Sequence, residues 1–268
     1  MPEIPAWGTH RRVTALLPAT VAALYRHPVK GFTPETVAEA ALDAGQAFPG
    51  DRLRAIEIGP SGFDPDAPAH ISKMRFTVLA RLPELARVRT QWDAATDTLA
   101  LSAPGAPDLS VRLSDPADAR RLEAWLTDVL GEAATAPLRL LDGDGHRFMD
   151  DPAGAVSVLN LASVRDLSQR LGVAVDPLRF RANVWVEGWP AWVENDWSGR
   201  ALALGEARLR VIKPIVRCAA THVDPTTGTR DIDVVSALHN LYGHRWCGLY
   251  LSVQTGGRVR PGDRAELI

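Results

Sequence analysis

The sequence predicts a mainly β protein with some α-helix, divided into two domains. Residues 20–113 contain short stretches of alternating apolar and polar residues separated by Pro, Gly and Asp turns, a texture typical of a β-barrel or sandwich. Short strands are predicted again from Asn183 onward, in NVWVE, ALALG, ARLRVIK and GLYLSVQ. At 268 residues the chain is long enough for two domains that each bury a core.

The first half contains a clear strand and ends in a predicted helix. The segment LSVRL at 109–113 has the cleanest strand alternation. A helix is predicted over 116–130, because Asp115 can cap it, Pro116 suits its first position and Gly131 can end it. The small, proline-containing segment GEAATAP follows, so we predict a boundary near residue 135, with domains over 20–135 and 136–268.

The second half is predicted to begin with a strand and a helix. The strand covers 156–159, and Ser163 and Asp166 have the spacing of a capping box for the helix that follows. Gly172 stands where that helix should end. One further amphipathic helix is predicted across Ile232, Val235, Leu238 and His239.

Composition excludes several classes of partner. The formal net charge of −2 gives no global positive field to hold a nucleic acid or an anionic membrane surface. No stretch approaches the roughly 18 apolar residues that a membrane span requires. The two cysteines, Cys218 and Cys247, are too few for a disulfide framework and favour a reducing compartment, so we expect a cytoplasmic protein.

The clearest candidate for chemistry is a single thiol. The chain lacks the common nucleotide-binding, zinc-protease and serine-hydrolase motifs. Cys218 follows Arg217 at the end of an alternating apolar run and precedes a Pro/Gly turn. A neighbouring guanidinium favours the thiolate form of a cysteine, which is both a nucleophile and a soft metal ligand. From this local context alone, a small buried structural cysteine is the more frequent case.

Short motifs in a characteristic order identify a family resemblance. The second half contains RFRAN (179–183), ENDW (194–197), LG (204–205), RC (217–218), THVDPTTG (221–228) and GD (262–263). On these motifs the chain resembles the MOSC family (molybdenum cofactor sulfurase C-terminal domain). The first half, with LYRHPVK (24–30) and GDR (50–52), resembles the β-barrel domain that precedes MOSC in the mitochondrial amidoxime reducing component and its bacterial relatives. The resemblance covers residues 20–268 and implies a MOSC β-barrel preceded by a smaller β-rich domain.

The resemblance also implies roles for individual residues. It gives Cys218 the role of molybdenum ligand, beside the two sulfurs of the pterin dithiolene, and a soft thiolate suits that metal. Basic contacts with the pterin and its phosphate are implied for Lys30, Arg52, Arg181 and Arg217. Further polar contacts are expected from Asn160, Ser163 and Asp263. Each residue has a plainer interpretation as a surface charge, salt-bridge partner or helix cap, but the set together favours a shared anionic cofactor.

Other features depart from the family pattern or lie outside it. Gly31 stands where relatives with reductase activity have serine, which removes one hydroxyl contact. The segment GPSGFDPDAPA at 59–69 is longer than the expected hairpin and is predicted to form a loop near the pocket. His222 and His244 are candidate proton donors in catalysis. Together with Cys218 and Cys247 they are also candidates for a Cys/His metal site, although their spacing matches no common zinc pattern.

The implied activity is two-electron oxygen-atom transfer by an oxidoreductase that uses the molybdenum cofactor (Mo-molybdopterin). Reduction of small N-hydroxylated or N-oxide compounds is the reaction of the relatives. The sequence has no flavin, haem or iron–sulfur signature, so we expect an external electron donor, a reductase or a ferredoxin-like protein, and no pyridoxal phosphate. Two alternatives stay open: a carrier of the cofactor or of persulfide sulfur on Cys218, and a barrel that retains only the fold.

Overall fold

A computed structural model describes residues 19–152 and 156–268 as a mainly β fold in which three α-helices occur. The strands are, in chain order, β1 (Ala19–Arg26), β2 (Glu35–Thr36), β3 (Ala40–Leu42), β4 (Arg54–Ile58), β5 (Arg89–Asp93), β6 (Thr98–Ser102), β7 (Leu109–Arg112), β8 (Leu138–Asp142), β9 (Val156–Asn160), β10 (Val184–Glu187), β11 (Ala201–Leu204), β12 (Ala207–Val216), β13 (Trp246–Thr255), β14 (Gly257–Val259) and β15 (Arg264–Leu267). The helices are α1 (Pro116–Leu130), α2 (Leu161–Leu171) and α3 (Val234–Tyr242). The predicted mainly β fold with some helix is confirmed.

Seven strands close into a barrel. Their order around it is β10-β9-β13-β12-β11-β15-β1, and β1 pairs with β10 to complete the ring. Neighbouring strands are antiparallel except β9 and β10, which are parallel. Both halves of the chain therefore contribute to one barrel, because β1 precedes residue 27 and the other six strands follow residue 155.

Alternation of apolar and charged residues determines which face of a barrel strand is buried, as β12 shows. In β12, Ala207, Leu209 and Val211 are buried in the barrel core, and the charged residues between them are exposed. This period of two is what a strand with one buried face requires. β9 is buried along its whole length.

β2 extends the barrel sheet beside β1, and β3 pairs with β14. β4 to β8 build a second layer with its own core. β5, β6 and β7 form one antiparallel sheet, and β4 pairs with β8 in another. α1 packs on β7 and β8, and Leu122, Trp125 and Leu126 on its inner face join that core. β8 follows residue 135 in the chain yet pairs with the earlier β4, so the two halves interlock near the predicted boundary.

The helix ends test the capping predictions. α1 begins at Pro116, the Asp115 side chain accepts a hydrogen bond from the backbone N of Ala117, and Gly131 ends the helix, as predicted. For α2 the predicted capping residue was wrong: Asn160, not Ser163, accepts from the backbone N of Ala162 at 3.0 Å. In the part of the chain that the structure describes, we find no helix with the length and apolar character needed to cross a membrane.

Candidate active site

A cavity of about 210 Å³ lies where the barrel meets connecting segments of the first half. Its wall has seven cationic side chains and two acidic ones. The cationic residues are Lys30, Arg52, Lys73, Arg179, Arg181, Lys213 and Arg217, and the acidic residues are Asp150 and Asp151. This excess of positive charge in the wall favours an anion over a cation. We refer to it as the basic cavity.

Cys218 places a thiol in the wall of the basic cavity. It is half-buried and follows the end of β12 by two residues. Its backbone oxygen accepts hydrogen bonds from the backbone N and the hydroxyl of Thr221, at 3.0 and 2.9 Å, which fix the turn after the strand. Lys73 Nζ donates to Cys218 Sγ at 3.2 Å. The sulfur therefore faces an ammonium group at the cavity wall.

The Arg217 guanidinium donates two hydrogen bonds at the end of β12 and has one nitrogen without an acceptor in the described part of the chain. Its Nε donates to the backbone oxygen of Cys247 at 2.7 Å, and its Nη1 donates to that of Phe180 at 2.8 Å. The guanidinium also lies over the Phe180 ring, 5.2 Å from the centroid. Nη2 is buried without a hydrogen-bond partner among the residues described. Burial lowers the pKa of Arg217, because the charged guanidinium is poorly solvated there.

Arg52 and Arg181 adopt left-handed backbone conformations at the cavity, with φ of +49° and +51°. Such φ values are uncommon outside glycine, and strain of this kind persists where the surrounding structure fixes it, often at functional sites. Arg52 pairs with the buried carboxylate of Asp51. Arg181 Nη1 donates to the backbone oxygen of Phe32 at 2.7 Å, and its Nη2 is buried without a partner in the described ranges. Burial, and then the charge of Arg52, lowers the pKa of Arg181 to about 10.

Two lysines share one carboxylate beside the thiol. Lys30 is 2% exposed, and its Nζ donates to the backbone oxygen of Phe148 at 2.8 Å and to Asp150. Lys73 Nζ lies 3.2 Å from the other oxygen of Asp150. Burial alone would lower the pKa of Lys73, but the charges of Asp150 and Cys218 outweigh it and raise that pKa. Lys73 therefore faces the sulfur as an ammonium group.

Gly31 brings the backbone close to the irregular segment around Thr77 at the cavity wall. Its φ is +89°, and a Cβ at this position would overlap the carbonyl oxygen of Thr77. A side chain is therefore excluded in this backbone arrangement. The glycine that departs from the family pattern is required by this close approach.

The structure brings together one part of the predicted site. Lys30, Arg52, Arg181, Arg217 and Cys218 all line the basic cavity. Asn160, Ser163, Asp263, His222 and His244 do not line it.

Asn160 and Ser163 point into a buried hydrogen-bonded cluster with Glu194. Asn160 Nδ2 donates to Glu194 Oε2 at 2.8 Å, and the Ser163 hydroxyl donates to Oε1 at 2.7 Å. The same hydroxyl accepts from the backbone N of Trp192 at 2.8 Å. Burial raises the pKa of Glu194. The geometry gives both residues a structural role, holding the tryptophan-rich loop against α2.

We expect Ser163→Ala to lower the free energy of unfolding by about 1–3 kcal/mol, because a buried hydrogen-bond donor and acceptor are both lost. Cofactor content should stay at the wild-type value. Urea unfolding measures the change in stability, and metal analysis measures the cofactor content. The matched control is Ser110→Ala on the exposed face of β7, which should change stability by less than about 0.5 kcal/mol. Loss of cofactor with unchanged stability would contradict the structural role.

The other predicted polar residues also have structural partners. Asp263 accepts from the backbone N of Arg260 at 2.7 Å in the turn before β15. His222 Nε2 lies 3.1 Å from the Asp233 carboxylate. His244 Nδ1 accepts from the backbone N of Trp246 at 3.1 Å, and burial lowers the pKa of His244.

The Cys/His metal site considered from the sequence does not form in the described ranges. No group of three or more His, Cys, Asp or Glu side chains in residues 19–152 and 156–268 is placed to hold a metal ion. Cys247 is fully buried in the core beside α3, and this burial raises the pKa of its thiol to about 12. A neutral buried thiol is a poor metal ligand.

Sequence reasoning missed Lys73 and Asp150, which meet Lys30 and Cys218 at the cavity. Lys73 lies four residues after the end of the long Gly/Pro-rich loop at 59–69, which the sequence predicts to lie near the pocket. The unusual length of that loop was the one available signal. No local pattern links Lys73 to a cysteine 145 residues away.

The chain is similar to several curated proteins and to solved structures. Mitochondrial amidoxime-reducing component 1 of Homo sapiens is 25% identical, over 98% of this chain and 87% of that protein. Mitochondrial amidoxime reducing component 2 of Bos taurus is 33% identical, over 54% of this chain and 46% of that protein. Molybdenum cofactor sulfurase of Caenorhabditis elegans is 29% identical, over 43% of this chain and only 16% of that protein. The YUAD protein from Bacillus subtilis aligns with a TM-score of 0.44 at 15% identity, over 94% of this chain and 96% of that one.

Family models cover most of the chain. The MOSC N-terminal beta barrel domain matches residues 18–136, and the MOSC domain matches residues 145–266. The chain therefore belongs to the MOSC family, with a MOSC N-terminal beta barrel domain ahead of the MOSC domain.

Proposed function

We propose that this chain binds the molybdenum cofactor in the basic cavity, with Cys218 as the protein ligand of the metal, and acts as an oxidoreductase. The observation that carries the proposal is the half-buried thiol of Cys218 in a cavity wall with seven cationic and two acidic side chains. A soft metal ligand and an anion site lie in the same place.

Two unpaired nitrogens support the fit of a phosphate-bearing group. Nη2 of Arg181 and Nη2 of Arg217 are both buried, and neither has a hydrogen-bond partner in the part of the chain that is described. A buried donor without an acceptor is costly, and a charged one more so. Phosphate oxygens would satisfy both guanidinium groups. The arrangement thus suits a ligand that combines a metal with an anion.

The proposed reaction is the reduction of small N-hydroxylated or N-oxide compounds. When bound, the cofactor supplies two-electron oxygen-atom transfer. Cys218 provides the thiolate, Lys30 and Arg52 contribute positive charge, and Lys73 Nζ holds a proton between Cys218 Sγ and Asp150. Burial of these groups strengthens their electrostatic interactions with a bound anion.

Electrons come from outside the chain in this proposal. An external reductase or ferredoxin-like protein is the partner that the reaction requires.

Both cysteines are free thiols. We propose a reducing compartment, the cytoplasm, for the protein.

Metal analysis of cysteine variants tests the proposal. In a host that makes the cofactor, we expect about one molybdenum per wild-type chain, and less than about a tenth of that in Cys218→Ser, because the soft ligand is lost. Cys247→Ala is the control, since it removes the other, fully buried thiol and should leave the metal content unchanged. Elemental mass spectrometry measures all three proteins.

Two results would contradict the proposal. One is equal metal in wild type and Cys218→Ser. The other is no metal in the wild type although a control molybdoenzyme from the same host is loaded. In the second case, sulfane sulfur on Cys218, released by cyanide, would favour the carrier function instead.

A further inference from the structure

Two exposed apolar side chains lie opposite each other beside the basic cavity. Val216 is 57% exposed and Trp246 is 40% exposed. They are direct partners in the antiparallel pairing of β12 with β13. Val216 also lines the cavity and precedes Cys218 by two residues. Side chains of directly opposed residues lie on the same face of a sheet, so the Trp246 indole stands next to the wall that carries the thiol.

Trp246 is the last ring of an aromatic stack. His244 stacks on it with ring centroids 5.1 Å apart and planes inclined by 13°. Tyr242 stacks on His244 at 5.9 Å and 19°, and Trp192 packs against Tyr242 at 4.3 Å. His244 is the single aromatic partner of Trp246 within residues 19–152 and 156–268. The stack therefore ends in a half-exposed indole whose position is already fixed.

A fixed and exposed indole is suited to bind a planar ring. Aromatic pairs gain energy beyond the apolar area that they bury. A tryptophan that is already ordered also loses little conformational entropy when a ligand arrives. The face of one indole, two fused rings, covers at most a small aromatic molecule.

We propose that Trp246 is a substrate platform that selects planar aromatic substrates. The aromatic body stacks on the indole next to Val216, and the reducible N–O group enters the basic cavity toward Cys218. This inference rests on the proposed function and adds to it the class of substrate: aryl compounds in preference to saturated rings of the same size.

A binding measurement tests the platform without turnover. The probes are benzamidoxime and its saturated analogue, cyclohexanecarboxamidoxime, titrated into the purified holoprotein and followed by ligand-observed NMR. We expect wild type to bind benzamidoxime about 3- to 10-fold more tightly than the saturated analogue, the range that one aromatic contact provides. In Trp246→Leu, which keeps an apolar side chain, the ratio of the two affinities should fall to about 1.

Two further variants control the test. Trp246→Phe keeps a ring and should retain most of the preference. Leu241→Ala removes a 37% exposed apolar side chain on α3, outside the cavity wall, and should leave both affinities unchanged. An unchanged preference in Trp246→Leu overturns the platform.

Turnover separates this inference from the proposed function. With a chemical reductant as electron source, we expect the KM for benzamidoxime to rise about 3- to 10-fold in Trp246→Leu while kcat stays within about twofold. Reduction with the same KM in Trp246→Leu overturns the platform and leaves the proposed function standing. Binding preference that depends on Trp246, in a loaded protein that reduces neither probe, supports the platform and overturns the proposed function.

Discussion

We expect Gly31→Ser to lower the free energy of unfolding by about 4 kcal/mol, the range of a severe core clash combined with backbone strain. The φ of Gly31 is +89°, and a Cβ there would overlap the carbonyl oxygen of Thr77. The backbone around Lys30 must shift to admit the side chain. Denaturant unfolding followed by tryptophan fluorescence measures the loss, and cofactor content should fall with it.

Gly45→Ser separates the clash from the backbone strain. Gly45 has a similar φ of +73°, but no atom lies within 4 Å of a Cβ built there. Only the cost of a left-handed serine remains, about 1 kcal/mol. If both variants lost the same free energy of unfolding, the overlap with Thr77 would cost nothing, and the Thr77 backbone would have moved to admit the side chain. The serine of relatives would then be accessible to this chain as well.

Acid should destabilise the protein through His27, which is fully buried. Burial, and then the charge of Arg181, lowers the pKa of His27 to about 3. The unfolded chain has a histidine pKa of about 6.5, so between these values it binds a proton that the folded state does not. The free energy of unfolding is therefore fully retained above pH 6.5 and falls as the pH decreases toward 3, by up to about 1.4 kcal/mol per pH unit.

The neighbouring carboxylate extends this acid sensitivity. Asp51 accepts from the backbone N of His27 at 2.7 Å and lies 3.2 Å from its Nδ1. Burial alone would raise the pKa of Asp51, but Arg52 and His27 outweigh it and lower that pKa. The stability that this carboxylate contributes is present above its unfolded value of about 3.9 and is lost below it.

Urea unfolding at a series of pH values measures the His27 effect. His27→Asn keeps a donor toward Asp51 but removes the titrating ring, so the slope between pH 6.5 and 4 should decrease by about 1.4 kcal/mol per unit. His239→Asn, on the exposed side of α3, should keep the wild-type slope. A slope that is the same in His27→Asn and in wild type would assign the acid sensitivity to other groups.

Local chemistry explains the parts of the fold that were predicted correctly. The ends of α1 follow from Asp115, Pro116 and Gly131, which are adjacent to the helix in sequence and act within one turn. The barrel strands follow from alternation that can be read in a few residues. The cap of α2 was misassigned because the Ser163 hydroxyl is used by Glu194, 31 residues further on.

The same limit explains what was missed at the candidate site. Cys218 with Arg217, and Lys30 with its neighbours, lie in short motifs that a single sequence displays. The contact of Lys73 with Cys218 spans 145 residues and depends on how the segment between β4 and β5 packs against the barrel. His222 lies within the motif THVDPTTG, yet its ring lies beside Asp233, and the ring of His244 accepts from the backbone N of Trp246.

Closure of the barrel by β1 has a consequence for synthesis of the chain. Leu24 in β1 pairs with Val184 in β10. This pairing cannot form until about 160 further residues have been translated. At typical ribosomal speeds this interval is roughly 10 to 30 seconds. During that time β1 pairs only with β2, through Tyr25 and Arg26, and the rest of its edges stay open. Open strand edges of this kind promote aggregation. We therefore expect this long-range pairing to slow folding, and protection of the nascent first half to raise the yield.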